Sequence, residues 1–185
     1  MTSVVVAIVE LMCLAGPARQ MLALNAARPY VEYEIAADTG PVTIPENIVT
    51  TAAYRADLAA MLRVSPTFRR QCIRIARSTH LRVFLQRSIL PEVRSDAALT
   101  RISRTPQGGL EADVQIGVLG DRVLLVAHEF EHILEQLDEV DLPAMADRSG
   151  TGVRSIAGLG HFETDRAIAA GRRVAEEVSN ARRRH

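Results

Sequence analysis

The strongest rhythm in the chain is helical. In residues 123–138, VLLVAHEFEHILEQLD, steps of about 100° per residue counted from His128 put Val123, Val126, Phe130, Ile133, Leu134 and Leu137 between roughly 140° and 240°. His128 and His132 lie on the opposite side, about 40° apart. The pattern predicts a helix packed by its back on a core, with its polar front facing a cleft.

Other stretches keep a period of two. Residues 99–105, LTRISRT, and 110–118, LEADVQIGV, alternate on either side of Pro106-Gln107-Gly108-Gly109, which predicts a β-hairpin. LRVFLQ at 81–86 reads as a strand, and residues 89–97, with Pro91, as a loop. Upstream, residues 46–64 are rich in Ala and Leu and read as a helix. Ser65-Pro66-Thr67 then ends it and opens a second one through residue 76, with Ser65 as N-cap and Pro66 in the first turn. Between residues 28 and 44, PYVEYEI alternates like a strand, DTGP turns, and VTIP is a short extended piece. Downstream of the histidines come a short helix (LPAMAD), a Gly/Ser-rich connector (RSGTGVRSIAGLG) and a last helix over 161–180. Helices and a small sheet together predict an α+β fold.

Composition narrows the partners. The chain has 185 residues with 22 basic and 22 acidic side chains, so the balance points to no nucleic-acid surface. Arg172, Arg173 and Arg182 to Arg184 suit the negative end of a helix dipole and a solvated tail. Two cysteines, Cys13 and Cys72, make no disulfide framework or structural zinc cluster, and Cys72 reads as a buried helix residue. Residues 1–27 form an apolar N-terminal segment, and 28–185 are expected to be one domain. The run SVVVAIVELMCLAG has the length of a signal-peptide core and is too short for a straight membrane span. It predicts export to a periplasmic, secreted or membrane-associated location, with membrane association only through this segment. A buried N-terminal helix in a cytoplasmic protein is the alternative.

The chemistry sits in His128, Glu129 and His132, an H-E-x-x-H. Two imidazoles one helical turn apart can reach one metal ion. A catalytic zinc takes three protein ligands and keeps a place for water, so a third must come from elsewhere. Glu163 ranks first, because Ala167, Ala170, Val174 and Val178 continue one face behind it and let two helices approach closely; His161 and then Asp165 follow. Asp138 on a continuing helix points about 240° away from His132 and is discounted as a ligand. It remains, with Asp165, a candidate to hold an imidazole N–H. Glu135 lies on the histidine face, one turn below His132; for it and for Glu131, a solvated surface role is at least as good a reading.

VAHEFEH followed 31 residues later by FETDRA resembles the zincin metallopeptidases, and among them the gluzincins, whose third ligand is a Glu on a later helix; the length matches a group of small bacterial HExxH proteins. The resemblance covers about residues 110–178. It implies a minimal zincin-like domain that binds one zinc ion through His128, His132 and Glu163 and acts as a peptidase. Glu129 would be the general base, and a peptide or protein the substrate, lying along the hairpin strand before the helix as the sheet edge. Every Tyr lies upstream, so Arg154, Arg166 or His161 would serve an oxyanion. A binding or scaffold protein with a non-catalytic metal site is the alternative. A di-iron bundle would need a second E-x-x-H, which the chain lacks.

Overall fold

The computed structural model describes residues 43–90, 93–156 and 160–184. Their order is β1 (Ile48–Thr50), α1 (Ala52–Val64), α2 (Pro66–Arg77), β2 (Leu81–Arg87), β3 (Ala98–Arg104), β4 (Leu110–Ile116), α3 (Arg122–Leu137), α4 (Leu142–Ala146), β5 (Val153–Ile156), β6 (His161–Thr164) and α5 (Asp165–Arg183). The apolar N-terminal segment and the PYVEYEI strand lie outside the described residues.

The main sheet has the order β1-β2-β4-β3 and is mixed: β1, β2 and β4 run parallel, and β3 pairs antiparallel with β4. One face packs on helices. Ile48, Val83, Leu85, Ala98, Ile102, Ala112, Val114 and Ile116 meet Leu58, Leu62, Phe68, Ile75, Val126, Phe130 and Val174 in the principal core. Removing this apolar surface from water, at about 25 cal/mol per Å², is what holds the layers together. A smaller cluster of Leu142, Val153 and Phe162 lies under the β5–β6 hairpin.

Local signals explain most boundaries. Ser65 caps α2 by accepting from the Phe68 amide at 3.0 Å, ahead of Pro66. Asp121 caps α3 by accepting from Val123 and Leu124, and Thr164 caps α5 by accepting from Ala167 at 2.9 Å. Gly108, at φ 83°, takes the left-handed position in the β3–β4 turn. Glu177 of α5 accepts from the Thr67 amide at 3.2 Å and the Thr67 hydroxyl at 2.8 Å, and from the Ser65 hydroxyl, tying α5 to the start of α2.

Several expectations need correction. The helix placed over 46–64 begins only at Ala52, because the β-branched run Ile48-Val49-Thr50 pairs with β2. The extended piece VTIP forms no strand in its described part. Within the Gly/Ser-rich connector, residues 153–156 form β5, which pairs with β6 where a helix start was expected; the last helix begins at Asp165. Its buried face is Ala167, Gly171, Val174 and Val178, with Gly171 where Ala170 was expected. The strand immediately before α3, β4, is interior rather than an edge; among the described strands the edges of this sheet are β1 and β3.

Candidate metal centre

α3 places His128 and His132 one turn apart, and β6 delivers Glu163 to them. The Nε2 atoms of the two histidines are 3.1 Å apart. Glu163 Oε1 is 3.3 Å from His128 Nε2 and 3.7 Å from His132 Nε2. A tetrahedron with corners about 2.0–2.1 Å from its centre, the length of zinc bonds to imidazole nitrogen and carboxylate oxygen, has edges of about 3.4 Å. The three atoms fit one face of it. Among the described residues this is the group of His, Cys, Asp or Glu side chains that could hold a metal ion.

The site is closed by its neighbours. His128 and His132 are 0% exposed and Glu163 6%, so the predicted cleft in front of the histidines is instead covered. α5 packs directly against α3, where an added Cβ at Gly171 would stand 3.1 Å from the His128 Cβ and 2.9 Å from the Leu124 carbonyl oxygen. Glu131 and Glu135, for which a solvated surface role was as good a reading as any, are buried as well. Glu131 accepts from Arg166 Nε at 2.6 Å and from Gln71 Nε2 at 2.7 Å. Burial of these carboxylates is sustained by the partners that meet them.

The electrostatics follow from proximity. Burial works to raise the Glu163 carboxyl, but hydrogen bonds from His128 and His132 outweigh it and hold it at about 2. Burial works to lower His132, but Glu135 and Glu163 outweigh it and push the imidazole up to about 10. The carboxylate of Glu135 can only accept, so His132 carries a proton on Nδ1, donates it to Glu135 Oε2 at 2.8 Å, and turns Nε2 toward Glu163. Glu129 is fully enclosed, and burial raises its pKa against the pull of His128, His132 and Thr100. Its Oε2 accepts from Thr100 Oγ1 on β3 at 2.7 Å, while Oε1 is buried without a hydrogen-bond partner.

The remaining candidates sit elsewhere. Asp138 does not hold an imidazole: it follows α3 and takes Arg74 and, at 2.8 Å, Arg166. Asp165 does not either, since it is exposed and pairs with Arg154 at 2.7 Å. Arg154 stands opposite Glu163 in the β5–β6 register, but its guanidinium is committed to Asp165, and that of Arg166 to Glu131 and Asp138. His161 precedes Glu163 by two residues on β6 and is outside the group of three. Thr100 and Thr164, which fix Glu129 and Glu135, were not expected; with the last helix expected from residue 161, Thr164 fell inside it instead of at its cap.

No helix among the described residues is long and apolar enough to cross a membrane. Comparison with known protein families, with curated proteins and with solved structures finds no match to this chain.

Proposed function

We propose that the protein is a zinc-dependent metallohydrolase, a peptidase acting on amide bonds, with His128, His132 and Glu163 as metal ligands and Glu129 as general base. The observation that carries this reading is the buried triangle of two imidazole nitrogens and one carboxylate oxygen, with edges of 3.1, 3.3 and 3.7 Å, beside a carboxylate that has one oxygen free of partners. A bound zinc would supply Lewis acidity, bringing a water's pKa toward about 7 and polarising the scissile carbonyl.

The chain's own residues supply the rest. Thr100 holds Glu129 by Oε2 and leaves Oε1 to take a proton from water and hand it to the leaving amine. The free edge of β3 supports a peptide as substrate. The bonds Gly117 N–H to Ala97 C=O and Thr105 N–H to Gly109 C=O fix the alternation of the β3–β4 ladder. Ala98, Thr100, Ile102 and Arg104 therefore turn their backbone groups away from β4, where an extended chain can pair. Thr100 thus serves the substrate edge with its backbone and the base with its hydroxyl.

The test is metal content and peptidase activity of purified protein. Stoichiometric zinc, loss of zinc in Glu163→Ala, and loss of activity with zinc retained in Glu129→Gln are expected. Zinc surviving Glu163→Ala would remove that residue from the site. A non-catalytic metal site is the second reading, favoured by the complete burial of both histidines; it expects Glu129→Gln to change nothing but stability.

A further inference from the structure

Glu135 is a buried charged side chain that the proposed chemistry leaves without a task. It is 2% exposed, one turn past His132 on α3, and both of its oxygens are used. Oε2 accepts from His132 Nδ1 at 2.8 Å, and Oε1 accepts from Thr164 Oγ1 at 2.6 Å. Thr164 directly follows Glu163; its amide donates to Glu163 Oε1 at 2.8 Å, and its hydroxyl accepts from the Ala167 amide at 2.9 Å as the cap of α5. A single carboxylate thus touches the imidazole of one candidate ligand and the residue that presents another, although the two are 31 positions apart in the chain.

We propose that Glu135 is a positioning residue for the metal centre, clamping His132 with one oxygen and, through Thr164, the strand end that carries Glu163 with the other. The inference rests on the metal-centre reading. Its physical content is that the ligand triangle is held from outside by a bridge between α3 and β6. Such outer partners of ligating histidines fix the tautomer and ring orientation, and their loss weakens metal binding by about 10–100-fold. A buried carboxylate costs several kcal/mol unless its partners compensate, which gives the bridge a reason to stay closed.

The experiment measures zinc affinity by chelator competition, and the visible spectrum of the cobalt(II) form, for wild type and variants whose folding is checked by circular dichroism. Glu135→Ala is expected to weaken zinc about 10–100-fold and to alter the cobalt bands. Glu135→Gln, whose amide oxygen can still accept from His132 and whose nitrogen can still meet Thr164, is expected to recover part of that loss. Thr164→Val, which takes away no candidate ligand atom, should weaken zinc, Thr164→Ser should not, and Glu135→Ala combined with Thr164→Val should be no worse than Glu135→Ala alone. If Glu135→Ala proves unable to fold, the Gln and Val variants carry the comparison. Wild-type zinc with unchanged affinity and spectra in the Glu135 and Thr164→Val variants overturns the bridge and leaves the metal centre standing. A folded wild type that takes up neither metal overturns both.

Discussion

Gly171 shows how much of the centre depends on one missing methyl group. A Cβ there would press on the Leu124 carbonyl and on His128, and backbone cannot give way as a flexible side chain would. Gly171→Ala should therefore push α5 off α3, cost about 1–3 kcal/mol, and lower zinc affinity because β6 leads straight into α5. A urea midpoint and a chelator titration read the two effects separately. At this scale the sequence was legible where chemistry is local: the spacing of His128, Glu129 and His132 alone puts them on one face of α3. Glu163 was legible as an acid just upstream of a small-residue face. Thr100 was not, because nothing in LTRISRT says which helix its hydroxyl will meet.

Among the elements, α3 departs furthest from its sequence pattern. A stripe of six apolar positions predicts one buried side, yet every residue from Leu125 to Glu135 is buried. The polar side is enclosed by complementary partners, Gln71 and Arg166 for Glu131, His132 and Thr164 for Glu135, and hydropathy periodicity cannot register such pairing. The same blindness turned β6 into a helix start: four residues can pair with β5 only because that strand is there. Asp138 ties the end of α3 to α2 and α5. Burial works to raise its carboxyl, but Arg74 and Arg166 outweigh it and hold it below the ordinary 3.8. A pKa lowered on folding stabilises the native state above the unfolded value, and that share is lost as pH falls through the folded one. Asp138→Asn should thus lower the urea midpoint at neutral pH, and the gap from wild type should narrow as the pH drops below about 4.

Across the whole molecule, the α+β class was readable from alternating strands set among helical stretches, whereas the mixed pairing and the order β1-β2-β4-β3 were not, since no local pattern names a strand's neighbours. The centre joins α3 to β6 and so to both core clusters, so a metal ion held there would contribute to global stability. Zinc at 100 times its dissociation constant should stabilise the fold by about 2.7 kcal/mol, and a chelator should reverse the gain. Thermal melts with zinc and with chelator check this, and Glu163→Ala should flatten the difference.

The strand that brings Glu163 also sets a timetable. On the ribosome, a chain that has emerged only through α4 holds both imidazoles and the adjoining Glu129 but not the Glu163 carboxylate that completes the set, and lacks the helix that shields them. Newly made protein therefore cannot assemble the three-atom group of His128, His132 and Glu163 until β6 has cleared the exit tunnel. The order of synthesis delays the candidate metal centre until most of its own scaffold already exists.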